Sequence, residues 1–504
     1  MPTTPSRTAT APTTPGPDAT ATDGLAAVPA IADSPTDSAA PIAPLLEVVG
    51  GDLAVPLLDG RSVRYANLDY AATAPALRTV ADRVAHVLPF SGSVHRGAGL
   101  PSQASSRLYE AARARVATAL GARAEDHVVF VRNTTDATNL LAGSIPADTG
   151  DVLTLDIEHH ANLLPWKRHG LGAGSAQDEH RFGHRTVVHA DTIGETLKRI
   201  EVALCDRPTA LLAVTGASNV TGEVLPIDRL AALAHAYGAR IFVDAAQLAP
   251  HRRIHLTLSD VDYVAFSGHK LYAPYGSGVL VGRGDWLDTA EPYLAGGGAV
   301  RNVTVDHTDW ALGPQRHEGG TPNLTGAVAI VAALDELDTL VDPDGIDARE
   351  AHEAALTARL RDGIAAIEGV TTHRIWDDDG DTIGVVTFSV AGYAPGLVGA
   401  YLSAEHGIGL RDGRFCAHPL LERFGLPRGA LRASFGVGSR SEDVDRLLTA
   451  LRQLAASGPT FAYCEGPAGW APEHDTRDIG DWIGADLGIS PEAAGVSPCR
   501  SKAA

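Results

Sequence analysis

The chain is poor in cysteine. Four stand among 504 residues, Cys205, Cys416, Cys464 and Cys499, and none belongs to a CxxC pair. That spacing excludes a disulfide framework and a zinc ribbon, and a reducing compartment is the plain expectation. Aromatic residues make up only 5% and methionine occurs once, so a core must come mainly from aliphatic side chains. No apolar run is long enough to span a bilayer, and no basic stretch leads into an apolar one near the first residues. A soluble, cytoplasmic protein without a membrane role is therefore expected. Positive charge is also short. The 41 Lys and Arg are outnumbered by 61 Asp and Glu, a formal net charge of -20. An acidic surface repels phosphate backbones and makes nucleic acid an unsuitable partner.

What is present is an ordinary globular balance, 44% hydrophobic, in a chain long enough for two domains. Residues 1–44 are rich in Thr, Pro, Ala, Ser and Asp without apolar periodicity and read as a disordered tail. Residues 103–120, QASSRLYEAARARVATAL, predict an amphipathic helix. TALLAVTGAS, IDRLAALAHAYG and ARIFVDAAQ between Thr209 and Gln247 predict strand, helix and strand, a βαβ unit that implies a parallel sheet. VDYVAFSGHK and SGVLVGR add two more strands. Beyond about Leu324 a long helical stretch and the segments GVVTFSV and RASFGVGS predict a smaller α+β domain. Residues 458–504 read as a surface tail. The expected division is 45–64 as an amino-terminal part of the small domain, 65–325 as the large domain and 326–457 as the small one.

In open α/β sheets, ligands bind beyond the carboxyl ends of the strands. Ionisable and polar residues gather there: Thr134 and Thr135 after VVFV, His159 after VLTLDI, Asn219 after LLAVTGAS, Asp244 and Gln247 at IFVDAAQ, and Ser267, His269 and Lys270 after YVAF. A lysine partly desolvated beside Gly268 is an imine-forming nucleophile; the plain alternative is a solvated surface lysine. A buried Asp244 needs a cationic partner such as a protonated pyridine nitrogen, or else serves as a cap or structural ion pair. Hydroxyls and amides opening a helix at Thr134 and Thr135 suit a phosphate, and equally a simple cap. His159 and His160 have no third ligand at matching spacing, so no metal is expected. Cys416 lies in a Gly- and Pro-bounded loop near Arg411 and Arg414. That basic setting suits a reactive thiol, the alternative being an inert buried one.

The segments NLDYAATAP, SVHRG, NTTDATNL, EHHANLLPW, SNVTGEVLP, VDAAQ, FSGHKLYAPYGSGVL, HEGGTPN, RDGRFCAHPLL and LRASFGVGS follow one another in this chain. In this order they resemble the class V aminotransferase superfamily of fold-type I pyridoxal-phosphate enzymes. The nearest likeness is to the group II cysteine desulfurases and selenocysteine lyases, from about Tyr65 to Leu451. The resemblance implies an α/β fold with a large domain built on a mainly parallel, seven-stranded type of sheet, plus the small α+β domain. It implies pyridoxal 5'-phosphate, with Lys270 as Schiff-base lysine and proton shuttle. Asp244 would face the pyridine nitrogen, Gln247 the phenolic oxygen and His159 the ring. Thr134, Thr135, Ser267 and His269 would hold the phosphate. Thr321 would reach the phosphate of a neighbouring subunit, so a homodimer is expected. His95, Arg96, Asn219, Arg411 and Arg432 would line the amino-acid pocket, Arg432 gripping the carboxylate. Cys416 would accept sulfur from L-cysteine or selenium from selenocysteine as alanine forms, and pass it to an acceptor protein or thiol.

The sequence departs from that pattern at Arg414 and Phe415, which precede Cys416 where polar residues or His are usual. It departs again at Asn133, Asp136 and Gly319. Other reactions implied by the same scaffold are transamination, epimerisation of the isopenicillin N type and cleavage of other C–S bonds, none of which needs a loop thiol.

Overall fold

A computed structural model of the protein describes residues 40–170, 182–378, 380–467, 469–477 and 482. Nearly all of the expected amino-terminal tail, residues 1–39, therefore lies outside the described residues, as does most of the stretch after 477.

Seven strands form the main sheet: β1 (Asp126–Val131), β2 (Asp151–Leu155), β3 (His184–Val187), β4 (Thr209–Thr215), β5 (Arg240–Asp244), β6 (Tyr263–Ser267) and β7 (Gly278–Arg283), in the order β1-β7-β6-β5-β4-β2-β3. β6, β5, β4, β2 and β3 pair in parallel, whereas β7 runs antiparallel to both β1 and β6. β4 and β6 are buried at every residue, as strands covered on both faces must be, and so read as continuous apolar runs rather than alternation.

Helix α1 (Leu100–Ala119) covers the predicted 103–120 segment but begins three residues earlier, with Pro101 in its first turn. It buries Ser105, Tyr109, Ala112 and Val116 at helical spacing. Helix α2 (Thr134–Ser144) follows β1 directly and is capped by Asn133, whose side chain accepts from Asp136 N–H. Helix α3 (Leu164–His169) lies beyond β2, and α4 (Ile227–Ala236) is the crossover between β4 and β5.

Helix α5 (Leu324–Asp338) leads to the second sheet. Its strands are β8 (Val370–His373), β9 (Val385–Val390), β10 (Arg411–Gly413) and β11 (Ala430–Ser434), all antiparallel in the order β8-β9-β11-β10. Helices α6 (Ala348–Ala365), α7 (His418–Arg423) and α8 (Ser441–Ser457) accompany it. Leu356, Leu360, Phe388, Leu402, Leu431 and Leu447 belong to one buried cluster here, so this sheet has its own core.

Two expectations need correction. The chain is already anchored at Ile42, whose N–H donates to Ser441 Oγ and whose carbonyl accepts from Ser441 N–H, earlier than the predicted start at 45. The described part of the expected surface tail, from 458 to the hairpin ending at Pro472, is built onto the fold. A hairpin, Tyr463–Gly466 with Gly469–Pro472, follows a turn in which the Glu405 carboxylate accepts from Thr460 N–H, Phe461 N–H and the Tyr463 hydroxyl. Cys464 in this hairpin is disulfide-bonded, while Cys205 and Cys416 are free. Among the described residues no helix is long and apolar enough to cross a membrane.

Candidate active site

The carboxyl ends of β4, β5 and β6, the start of α2 and the loop between β10 and α7 enclose a cavity of about 310 Å³. Its lining includes Thr134, Thr135, His159, Asn219, Asp244, Gln247, Ser267, His269, Lys270, Arg411, Cys416 and Arg432. Twelve of the fifteen residues singled out from sequence thus meet in one place. The other three, His95, Arg96 and Thr321, do not. His95 and Arg96 line a separate hollow with Gly320 and Pro322. His95 Nε2 lies 3.0 Å from Glu110, and Arg96 donates to the carbonyls of Gly297 and Gly320. Thr321 is exposed beside that hollow.

The floor of the cavity is electrostatically unusual. Lys270 follows a tight passage at Gly268, where a Cβ would sit 2.4 Å from Ser277 Oγ, so glycine is required. Burial pulls the Lys270 ammonium down to about 8, against the opposing charge of Asp244. Asp244 is buried at the end of β5 and accepts from Ala246 N–H. Burial pushes its carboxyl above the ordinary range, and it has no ion-pair partner within 4.0 Å among the described residues. Burial and the Lys270 charge hold His159 down to about 3, so its ring is neutral. That ring is fixed by Nδ1, which accepts from Ala161 N–H. Behind it Glu158 is fully buried, accepting from Thr215 N–H and from Asn162 Nδ2, which in turn accepts from Trp166 Nε1 through Oδ1.

At one end, the first turn of α2 presents amides that have no acceptor within the helix. Thr134 N–H donates to Ser267 Oγ, and the two hydroxyls lie 2.8 Å apart. His269 Nδ1 is 3.2 Å from Thr73 Oγ1, and its ring stacks on exposed Tyr275. A helix start, two hydroxyls and the His269 imidazole, held neutral down to about 4 by burial and the Lys270 charge, are groups that could receive an anion. Gln247 Nε2 donates to the Ala71 carbonyl, which fixes the amide against the cavity wall.

At the other end, buried Arg432 donates to the Asn219 carbonyl at 2.8 Å and to Asp69 at 3.0 Å. Its buried Nε has no hydrogen-bond partner among the described residues. Asp69 was not assigned a role from sequence; it lies within NLDYAATAP, two residues before Ala71, which lines the cavity together with Ala72. The Phe415 ring covers the Arg432 guanidinium at 5.3 Å, a cation–π contact. Cys416 is exposed, and both Phe415 and Cys416 have left-handed backbone, φ 52° and 53°. Non-glycine residues hold that conformation only where the surroundings enforce it.

The residue types and their order match the family model described as aminotransferase class-V over residues 66–447. This chain belongs to the class-V aminotransferase family. Within that family it is 36% identical to a cysteine desulfurase of Dickeya dadantii over 403 residues, 79% of this chain and 93% of the relative. It superposes on the apo cysteine desulfurase of Thermococcus onnurineus with a TM-score of 0.68 at 31% identity, covering 78% of this chain and 94% of that one. The cysteine desulfurase of Escherichia coli in its S-sulfonic acid form gives 0.66 at 30% identity, with 77% and 94% covered. The class-V likeness bears out the α/β fold with its large, mainly parallel sheet.

Proposed function

We propose that this class-V chain holds pyridoxal 5'-phosphate and converts L-cysteine, or selenocysteine, to L-alanine while Cys416 takes the sulfur or selenium atom. One observation carries the reading: an exposed thiol on a pinned loop opens into the same cavity as a lysine whose pKa is pulled to about 8. The curated relatives named as cysteine desulfurases agree with it.

The site fits the cofactor on its own chemistry. Asp244 is a buried carboxylate without an ion-pair partner within 4.0 Å among the described residues, and a protonated ring nitrogen is a cation of the right kind. The α2 start with Thr134, Thr135, Ser267 and His269 fits a phosphate, His159 offers a flat neutral ring, and Gln247 an amide for a phenolic oxygen. When bound, the cofactor supplies an electron sink for a carbanion at the substrate α carbon.

The chain's own residues do the rest. Lys270, poised near neutrality, accepts and returns the α proton at Nζ. Arg432 and Asn219 orient the substrate carboxylate, with Arg411 at the rim. Cys416 attacks the substrate sulfur: a Cys416–sulfur bond forms, the carbon–sulfur bond breaks, and its electron pair stays with the carbon skeleton that becomes alanine. The thiol is left as a persulfide for an acceptor thiol to collect.

The partition of the sheets supports a cofactor-holding part at 65–325 and a smaller part at 326–457. Residues 45–64 join the smaller one, since Leu58 N–H bonds the Ala404 carbonyl. His95, Arg96 and Thr321, gathered away from this cavity, are reserved for the site of a second copy in a homodimer. The test is mass analysis of the Cys416 peptide after one turnover with L-cysteine and no reductant. A gain of one sulfur atom supports the reading, and an unmodified thiol beside released alanine overturns it.

A further inference from the structure

The mouth of the cavity carries charge against the grain of the chain. With a net charge of -20 overall, the surface around exposed Cys416 is nevertheless cationic. Arg411 and Arg414 flank it in the loop. His160, whose N–H donates to the Cys416 carbonyl, packs edge-on against His418 with ring centroids 4.4 Å apart. The chain runs from His160 straight into α3: Leu163 N–H donates to the His160 carbonyl and Lys167 N–H to the Leu163 carbonyl, so the start of that helix stands beside the Cys416 loop. Lys167 and Arg168 on α3 are exposed and carry no ion pair with a described residue. Among acids in this stretch, Glu422 is engaged by Arg414 at 2.7 Å, and Asp412 lies against Gly396 and Gly399.

The same face offers apolar surface. Leu164, 53% exposed, stands three and four residues before Lys167 and Arg168, so the three share one side of α3. A leucine set among exposed cations suits a protein surface better than a small free thiol, which would use the charge but not the leucine.

We propose that Leu164, Lys167 and Arg168 of α3, with Arg414 beside Cys416, form the docking surface for an acidic protein segment whose cysteine collects the sulfur. This rests on the persulfide reading above. In the transfer, the acceptor thiolate attacks the outer sulfur and a new S–S bond forms. The bond from that sulfur to Cys416 breaks, Cys416 leaves as thiolate, and no external oxidant or reductant enters.

The experiment uses holoenzyme, L-cysteine and two synthetic peptides, one with its cysteine flanked by Asp and Glu, the other by Lys, with glutathione as the small-thiol control. Persulfide on each acceptor is followed by mass. At low salt the acidic peptide is expected to receive sulfur about tenfold faster than the basic one, the gap closing as salt is raised. Acidic neighbours disfavour a thiolate, so intrinsic reactivity alone would bias the result the other way. The Lys167→Glu/Arg168→Glu variant should lose or invert the preference, Lys167→Gln/Arg168→Gln should weaken it, and both should keep wild-type alanine formation with dithiothreitol. Equal rates for the two peptides, glutathione as fast as the acidic peptide, or a preference untouched by charge reversal would overturn the docking surface alone. Absence of alanine with dithiothreitol in the wild type would overturn the underlying reading and this inference with it.

Discussion

The backbone N–H of His160 donates a 2.8 Å hydrogen bond to the carbonyl of Cys416. One residue earlier, Asn219 Nδ2 donates to the Phe415 carbonyl, also at 2.8 Å. Two consecutive carbonyls of a left-handed turn are therefore tied to loops of the main sheet, which holds the thiol at the cavity mouth. Replacing Asn219 by Ala leaves the Phe415 carbonyl without that donor, at a cost of about 1–3 kcal/mol of loop docking. Sulfur delivery to Cys416 is expected to fall about tenfold or more in single-turnover measurements, with cofactor affinity unchanged. Unaltered delivery would show that the loop is held by other means.

Lys270 should govern how fast cofactor-free protein takes up pyridoxal phosphate. Its amine, pulled to about 8 by burial, becomes neutral and nucleophilic as pH rises through that value. The uptake rate, followed by absorbance, should rise with a midpoint near pH 8. The Asp244 charge opposes the shift, so Asp244→Asn should move the midpoint lower while weakening retention of the cofactor. A midpoint near the ordinary lysine value, or an upward move in the variant, would contradict this electrostatic account.

His159 makes a prediction about acid stability. The folded protein holds the ring neutral down to about 3, against an ordinary value of 6.5. Between those values the unfolded chain binds a proton that the folded one excludes, so this residue's contribution to stability is lost as pH falls through the window. His159→Phe keeps a flat ring without the proton site. Its denaturant midpoint should drop less than that of the wild type between pH 7 and pH 5. An equal drop would mean that His159 does not titrate differently in the two states.

The two sheets are bridged by a buried pair. His251, in the loop after β5, meets Glu353 of α6 at 2.6 Å, and Arg252 approaches the same carboxylate at 3.4 Å. Glu353→Ala strands His251 in a buried setting, while Arg252 keeps its pair with Asp381 at 3.0 Å, and should cost about 3 kcal/mol of unfolding free energy. Lys198→Ala, which breaks an exposed pair with Glu195, should stay within about 0.5 kcal/mol of wild type. Chemical denaturation of the two variants side by side checks the contrast.

The main sheet was readable because its strands are unbroken apolar runs ending in polar residues, and the site because those ends converge by topology. Lys270, Asp244 and His159 could be found from that logic alone. Asp69 could not, because its importance comes from Arg432, which is 363 residues away in sequence. The anchoring of Tyr463 on Glu405 was hidden for the same reason. Composition marks the stretch after 457 as loop-like, while the hold on residues 460–463 comes from one buried carboxylate accepting several donors. His95, Arg96 and Thr321 carry motif resemblance yet stand outside the cavity, since a linear motif does not tell how far apart its segments lie in space.

The most direct test gives pyridoxal-phosphate-loaded wild type and Cys416→Ala protein L-cysteine with a reducing thiol, and quantifies alanine and sulfide together. The account predicts equal amounts of the two products from the wild type and near-total loss in the variant, with the cofactor spectrum still responding to L-cysteine in both. Wild-type rates of alanine and sulfide release from Cys416→Ala would contradict it.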